Sequence, residues 1–156
     1  MIRRSKEADI EKLLDIWLKA NIQSHNFISN DYWEKMLPTV RKYYLPNTDT
    51  FVFEDKRQIK GFISIIDDKY VGALFVSPNY QNNKVGTKLI NYAKKIYPEL
   101  SLKVFVKNED ALRFYQRLGF KIIDEQIDDS TKEKELLMSW FMESKTGQSR
   151  RQPGDS

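Results

Sequence analysis

The sequence predicts an α+β fold, in which a mainly antiparallel sheet carries one parallel crossover and helices lie before and within it. Three observations lead to this class. Apolar residues recur at helical spacing over residues 10–20 and 85–96. Between them, residues 51–76 hold three short apolar runs separated by turn-forming residues, as in an antiparallel meander. A strand, a helix and another strand then follow with short connections over residues 70–106, which implies a right-handed parallel crossover.

The first elements are a strand and two helices. Ile2 to Arg4 is predicted as a short edge strand, and Asp9 as the cap of a helix that begins at Ile10. A loop over residues 24–29 leads to a second helix capped by Asn30 or Asp31. Pro38 lies inside this helix and predicts a kink or two short helices, because proline removes a backbone N–H and clashes with the preceding turn.

The meander comprises three strands, at residues 51–53, 61–66 and 70–76, with turns at 55–58 and 67–69. The crossover helix runs from about Lys84 to Tyr97, where Pro98 stops it, and a strand follows at residues 102–106. This passage supplies the parallel pair of the fold.

The last helix is the best specified by local chemistry. Asn108 is its predicted cap, and Gly119 is expected in the left-handed conformation that ends it. Strands at residues 120–124 and 135–140 complete the sheet. We expect one domain, residues 1–141, followed by a flexible tail, residues 142–156, whose stretch from Ser144 onwards contains no apolar residue.

The composition excludes several classes of protein. The chain has 156 residues, of which 40% are hydrophobic and 31% charged, as in one globular domain. It has no cysteine and one histidine, which excludes disulfides, thiolate nucleophiles and a multi-histidine metal site. Neither a secretory signal nor an apolar run of the roughly 20 residues that cross a bilayer is present. We therefore expect a cytoplasmic protein with no bound metal and no membrane contact.

The charge balance points away from nucleic acid. Lys and Arg number 26 against 22 Asp and Glu, a net charge of +4, and half of this excess falls in residues 144–156. Nucleic-acid binders usually concentrate basic residues on one face. We expect no nucleic-acid partner, whereas a small anionic ligand is compatible with this charge.

The junction at residues 75–87 is a candidate anion site. A strand there leads through small and polar residues into a helix, and a helix N-terminus offers unpaired N–H groups and a positive dipole end. Every junction from strand to helix has this layout, so this segment alone favours an ordinary loop over an anion site.

Two motifs resemble those of the GNAT-type N-acetyltransferases. The first is Val76-x-Pro78-x-Tyr80-Gln81-x-x-x-Val85-Gly86-Thr87, which is similar to the acetyl-coenzyme A (acetyl-CoA) loop of that family, with its pattern Gln/Arg-x-x-Gly-x-Gly/Ala. The second is Asn108-Glu109-x-Ala111-x-x-Phe114-Tyr115-x-x-x-Gly119-Phe120. The resemblance extends over about residues 1–141 and implies the GNAT fold, a twisted sheet with helices on both faces. Residues 24–28, 32–33 and 138–140 resemble the YiaC/YjaB branch of bacterial acetyltransferases, in which protein-lysine acetylation is the implied activity.

The resemblance also implies which residues bind acetyl-CoA and transfer the acetyl group. A splay between the strands at 70–76 and 102–106 opens the site, and a backbone N–H at Phe75 or Val76 faces the thioester oxygen. Tyr115 matches the position of the general acid, although its spacing alone would suit a core aromatic residue. The implied acetyl-CoA residues are Phe75, Val76, Gln81, Asn82, Asn83, Lys84, Val85, Gly86, Thr87 and Asn108.

Lys84 departs from the family pattern, because it stands where the motif has its first glycine. Glycine lets the backbone approach a diphosphate closely. A lysine side chain either obstructs that approach or adds a cation beside the phosphates, and we favour the cation.

His25 and Tyr70 are candidates for binding the acceptor amine. Tyr70 matches an aromatic position of the branch, and an ordinary strand aromatic is an equally good interpretation. His25 lies between the first two helices, which border the acceptor groove in this fold, and it is the only side chain that titrates near neutral pH without perturbation. A lone loop histidine is more often structural. No residue is assigned as general base, because the strand from Lys69 to Val76 has no Asp or Glu.

These inferences predict an acetyl-CoA-dependent N-acetyltransferase that acts on a primary amine, with protein lysine as the expected acceptor. A small amine or an aminoacyl-tRNA is the alternative acceptor. A third alternative is a catalytically inactive module that binds coenzyme A (CoA) or a protein, suggested by Lys84 and the missing base. A monomer and a homodimer are both open.

Overall fold

The computed structural model describes residues 1–81 and 83–143. Asn82, one of the predicted acetyl-CoA residues, and the predicted tail from residue 144 onwards lie outside the described residues.

The predicted strands and helices are all present, with ends that differ by up to a few residues. The described residues form seven strands and four α-helices: β1 Ile2–Arg4, α1 Ile10–Ser24, α2 Asn30–Thr39, β2 Asp49–Asp55, β3 Gln58–Ile66, β4 Tyr70–Val76, α3 Val85–Ile96, β5 Glu99–Phe105, α4 Glu109–Arg117, β6 Lys121–Ile127 and β7 Lys134–Phe141. The largest shifts, of three residues each, are at β3, which begins at Gln58, at β5, which begins directly after Pro98, and at β6, which extends to Ile127.

The strands form one sheet in the order β1-β2-β3-β4-β5-β7-β6. Among the described strands, β4 and β5 are the one parallel pair, and the other neighbours are antiparallel. The helix between the parallel strands is α3, as the crossover requires. The predicted α+β fold is thus confirmed, and it has the GNAT arrangement of a mixed, open sheet.

The sheet splits where the parallel pair should continue. Tyr70 and Ser101 are the one register pair between β4 and β5, and the N–H of Ser101 donates to the carbonyl of Lys69 at 2.9 Å. Beyond this point the strands diverge, whereas β5 stays paired with β7 along its whole length. Gly72 adds to the divergence, because it is the extra residue of a β-bulge between the pairs Ser64–Ala73 and Ile65–Val71.

Helices cover both faces of the sheet, and each face has its own core. Helices α3 and α4 pack on one face around fully buried Leu89, Ile90 and Met138. Helices α1 and α2 pack on the other face around Leu13, Ile16 and Phe62. Because apolar side chains alternate between the two faces of each strand, both cores hold the sheet rigidly around the split.

The predicted cap at Asp9 is wrong. The Asp9 side chain makes no capping bond to α1. Its carboxylate instead accepts the N–H of Lys6 at 2.7 Å and pairs with the Arg3 guanidinium at 2.9 Å. This ion pair joins the start of α1 to β1, and hydrogen bonding to Arg3 lowers the pKa of the Asp9 carboxyl.

The start of α2 and its proline also differ from the prediction. Ser29, and not Asn30 or Asp31, is the cap residue, and its backbone is extended. The helix is not broken at Pro38. It continues to Thr39 and then widens into a π-helical turn, Val40–Tyr44. Pro38 has no backbone N–H, so one hydrogen bond of the helix is missing just before this turn.

Gly61 in β3 lets α3 pack closely against the sheet, and a side chain there should destabilise the fold. A Cβ at Gly61 would lie 2.9 Å from the Phe75 carbonyl oxygen and 3.0 Å from Cγ1 of Val85. We expect Gly61→Ala to lower the free energy of unfolding by about 1–3 kcal/mol, measured by urea titration. Gly86→Ala is the control, since its added Cβ meets side-chain atoms only, at 3.3 Å or more. Equal stability of the two variants would contradict the packing argument.

Candidate active site

A cleft of about 1030 Å³ opens at the split between β4 and β5. Residues of β4 and β5 line its floor, and residues of α1 and α2 line one wall. The N-terminal part of α3 and residues along the whole of α4 line the other. The split leaves the β5-facing edge of β4 without a strand partner beyond Tyr70. Since the N–H groups of a strand point alternately to its two edges, some N–H groups of residues 72–76 face the cleft.

The N-terminus of α3 lies at one end of this cleft. Val85 is the first helical residue, and the N–H of Lys88 makes the first intrahelical bond, to the carbonyl of Lys84. The N–H groups of Val85, Gly86 and Thr87 therefore have no partner in the preceding turn of helix. Lys84, the cap residue, makes no side-chain capping bond. This end of α3 is thus a positive, donor-rich wall of the cleft.

Lys84 adopts the left-handed conformation, with φ 61° and ψ 21°. An L-residue pays a steric cost there that glycine does not. The Lys84 side chain is exposed and lines the cleft. The backbone of Lys84 thus has a conformation that glycine adopts without strain, and its side chain lines the cleft at the start of α3.

Tyr115 of α4 lines the cleft with its half-buried phenol. Its ring contacts Phe114 and Phe120 at centroid distances of 5.2 and 5.6 Å. Burial, and then the neighbouring phenol of Tyr70, raise the pKa of Tyr115 well above its ordinary value of 10. Tyr115 therefore carries its proton throughout the physiological pH range.

Tyr70 lies beside Tyr115 and beside Tyr44, a residue that the sequence did not bring forward. Burial, and then the charge of Glu135, raise the pKa of Tyr70 to about 12. The hydroxyl of Tyr44 occupies the space above Gly72, where a Cβ would lie 1.8 Å from it. A glycine inside a strand was the one available signal, because it often marks close approach of another group. Tyr44 and Tyr115 thus present two neutral phenols to the cleft, and Tyr70 lies behind them.

His25 is buried in a group of aromatic rings, with 8% of its surface exposed. Its ring centroid lies 5.3 Å from that of Trp33, 5.3 Å from Phe105 and 5.6 Å from Phe27. Burial lowers the pKa of His25, although the Asn21 carbonyl opposes this in part. The imidazole is therefore neutral at physiological pH.

Asn108 caps α4 as predicted, since its Oδ1 accepts the N–H of Ala111 at 3.3 Å. Its Nδ2 lies 3.1 Å from Nε2 of His25, across 83 positions of sequence. The cap of α4 and the loop after α1 are thus joined by one hydrogen bond at the cleft.

Ten of the predicted site residues line this one cleft: His25, Phe75, Val76, Gln81, Lys84, Val85, Gly86, Thr87, Asn108 and Tyr115. Asn83 does not line it, and Tyr70 lies behind the lining beside Tyr115. Sequence reasoning missed Trp33, Tyr44, Phe105 and Phe114, which also line the cleft and read as core aromatics in their own segments.

Neither a metal-ligand cluster nor a membrane-spanning helix occurs in the described part of the chain. Within it, no group of three His, Asp or Glu side chains is placed to hold a metal ion. No helix there combines the length and apolar character that crossing a membrane requires.

Comparisons with known proteins agree with this geometry. The acetyltransferase (GNAT) domain family matches residues 17–132. The peptidyl-lysine N-acetyltransferase YiaC of Escherichia coli is 35% identical over 140 residues, which cover 90% of this chain and 96% of YiaC. The peptidyl-lysine N-acetyltransferase YjaB of the same organism is 33% identical over 138 residues, or 87% of this chain and 92% of YjaB.

Solved structures show the same fold. The solution structure of apo YjaB from Escherichia coli superposes with a TM-score of 0.79 and 29% identity, over 91% of this chain and 97% of that one. An aminoglycoside 6'-N-acetyltransferase complexed with coenzyme A gives a TM-score of 0.66 at 16% identity, over 90% and 96% of the two chains, and this likeness concerns the fold alone. The two sequence motifs and the split in the sheet beside the N-terminus of α3 agree with these matches. The chain therefore belongs to the GNAT family and is an acetyl-CoA-dependent N-acetyltransferase.

Proposed function

We propose that this enzyme acetylates lysine side chains of proteins, with Tyr115 as the general acid. The observation that carries the proposal is the neutral phenol of Tyr115 in the same cleft as the bare N-terminus of α3. Acetyl-CoA supplies an activated acetyl group on a thioester and a diphosphate that needs an anion site.

The N-terminus of α3 is the proposed diphosphate site. Three N–H groups without intrahelical partners, the helix dipole and the nearby Lys84 ammonium all favour a negative ligand. Gly86 presents no side chain towards Phe114, whose Cζ would lie 3.3 Å from a Cβ at this position. The residues present therefore fit a bound diphosphate.

The split edge of β4 is the proposed site for the carbonyl oxygen of the thioester. A fixed N–H at Phe75 or Val76 would stabilise the charge that develops on this oxygen during attack by the amine. The apolar side chains of these residues add no competing charge. Tyr115 then donates its proton, or a hydrogen bond, to the departing sulfur.

Protein lysine is the proposed acceptor for two reasons. YiaC and YjaB, which this chain resembles over most of its length, are named peptidyl-lysine N-acetyltransferases. The wall opposite α3 and α4 is also rich in aromatic residues, including Trp33 and Tyr44, and such rings pack well against the aliphatic stem of lysine.

An acetylation screen tests the proposal. Purified enzyme is incubated with labelled acetyl-CoA and lysine-containing peptides, matched peptides with lysine replaced by arginine, aminoglycosides and polyamines. We expect label on the lysine peptides only. Transfer to the small amines with none to the peptides would overturn the lysine assignment, and no transfer to any acceptor would overturn the proposed catalytic site.

Lys84→Gly should stabilise the protein and weaken its binding of CoA. Glycine relieves the left-handed strain, so the free energy of unfolding should rise by about 1 kcal/mol. Loss of the cation should raise the Kd for CoA about two- to fivefold at low salt and by less at high salt. Calorimetric titration at several salt concentrations measures this, and Lys84→Gln removes the charge without adding glycine. Tighter binding by Lys84→Gly at every salt concentration would contradict the charge argument.

A further inference from the structure

We infer that His25 is a positioning residue, whose Nε2 holds the side-chain amide of Asn108 in the orientation that binds CoA. The inference rests on the proposed function for one step only, the binding of acetyl-CoA by Asn108 that the resemblance to GNAT enzymes implies, through the amide-containing arm of CoA. Its geometry is independent of the acceptor that the enzyme acetylates.

The cap of α4 decides which way the Asn108 amide points. A helix N-terminus offers N–H donors only, so the group that faces Ala111 N, at 3.3 Å, must be the acceptor Oδ1. The amide nitrogen Nδ2 then faces His25 Nε2, at 3.1 Å. In the reverse orientation, the Nδ2 amide group of Asn108 would face the N–H of Ala111, and two hydrogen-bond donors would face each other.

This orientation in turn decides the state of His25. Nδ2 of Asn108 can only donate, so Nε2 of His25 must accept, and the imidazole is neutral with its proton on Nδ1, a buried atom that has no hydrogen-bond partner among the described residues. The burial that lowers the pKa of His25 favours the same neutral form. The rings of Phe27, Trp33 and Phe105 hold the imidazole in place from three directions.

The amide of Asn108 is then oriented by two hydrogen bonds, and one of its hydrogen-bond donors is left over. Oδ1 is bound to the cap and one hydrogen of Nδ2 to His25, so the second hydrogen of Nδ2 is left for a ligand in the cleft that Asn108 lines. A carbonyl oxygen, as in the two amides of the CoA arm, is the matching acceptor. Without the bond to His25, the 3.3 Å cap bond alone would hold the amide, and binding would have to pay for fixing the remaining motion of this donor.

Five variants, one of them a double variant, test the inference through the Kd for CoA, measured by calorimetry without an acceptor amine. His25→Phe keeps a buried ring and removes the acceptor atom, and we expect about three- to tenfold weaker binding. His25→Gln offers an acceptor oxygen of similar reach and should bind more tightly than His25→Phe. Asn108→Ala should itself weaken binding, and in that background His25→Phe should cause no further loss. Leu13→Val, which loosens the core on the same face of the sheet and does not line the cleft, should bind CoA like the wild type.

The outcomes separate positioning from packing. If His25→Phe binds CoA as the wild type does, or more tightly than His25→Gln, or if its loss persists undiminished in Asn108→Ala, the inference is wrong while the proposed function stands. A wild-type protein that fails to bind CoA would instead overturn the proposed function.

Nitrogen-15 NMR of the ligand-free protein tests the geometry by itself. We expect the Nδ1-protonated tautomer for His25, and a shift of the Asn108 side-chain amide signals in His25→Phe but not in Leu13→Val. A His25 protonated on Nε2 would overturn the inference whatever the binding data show.

Discussion

Tyr115→Phe should lower kcat about a hundredfold and leave the Kd for CoA nearly unchanged. General acid catalysis contributes about a hundredfold or more to such reactions, and phenylalanine removes the proton while it keeps the ring between Phe114 and Phe120. Thiol release at saturating acetyl-CoA and peptide measures kcat. Tyr92→Phe is the matched control, because Tyr92 packs on Phe51 in the same core but does not line the cleft.

The pH dependence sharpens this test. Burial raises the pKa of Tyr115, so the phenol stays protonated and competent as a donor to well above neutral pH. The wild-type rate should consequently show no loss between pH 7 and 9 that is attributable to Tyr115, and Tyr115→Phe should be slow over the whole range. Full activity of Tyr115→Phe at every pH would remove the phenol from the reaction.

Gly86→Asp should have the second largest effect, on the binding of acetyl-CoA. The carboxylate would stand at the second position of α3, beside the N–H groups proposed to bind the diphosphate. Two unit charges about 5 Å apart repel by about 3 kcal/mol at an effective dielectric constant of about 20, and solvent screening reduces this value. We expect the KM for acetyl-CoA to rise about ten- to a hundredfold.

Gly86→Ala separates charge from bulk, since both variants add a Cβ near Phe114 and only one adds a charge. An acidic residue in the first turn also stabilises a helix, so Gly86→Asp should melt no lower than Gly86→Ala in the ligand-free state. A variant that is stable and binds poorly would locate the anion site at this turn. If Gly86→Asp binds acetyl-CoA as tightly as Gly86→Ala does, the diphosphate lies elsewhere.

The elements predicted correctly are those whose information is local. Asn108 and Gly119 delimit α4 because the cap and the left-handed end, at φ 93°, need only residues within a turn of helix. Asp9 looked equally suited to cap α1, yet it pairs with Arg3. An aspartate binds the donor that lies nearest in three dimensions. The spacing of residues along the chain does not predict an ion pair between β1 and the start of α1.

The cleft likewise combines residues that the sequence predicted with residues that it did not. Its two motifs are contiguous in sequence, and the resemblance to GNAT enzymes that they carry implied the split between β4 and β5 as well as ten residues that line the cleft. Tyr44 was missed because it enters the site through the π-helical turn after Pro38, which local periodicity does not predict. Trp33 and Phe105 likewise have helix and strand positions that any core would fill.

The sequence by itself determined the order of helices and strands, the donor-rich start of α3 and the candidate phenol, since hydrophobic period, capping and motif spacing are properties of neighbouring residues. Only the tertiary structure decided that Gly72 makes room for Tyr44, that Tyr70 lies against Tyr115, and that His25 meets Asn108 across 83 positions of chain. Contacts of this kind form when two faces of one sheet are covered by helices distant in sequence, and their geometry depends on how all of these elements pack together.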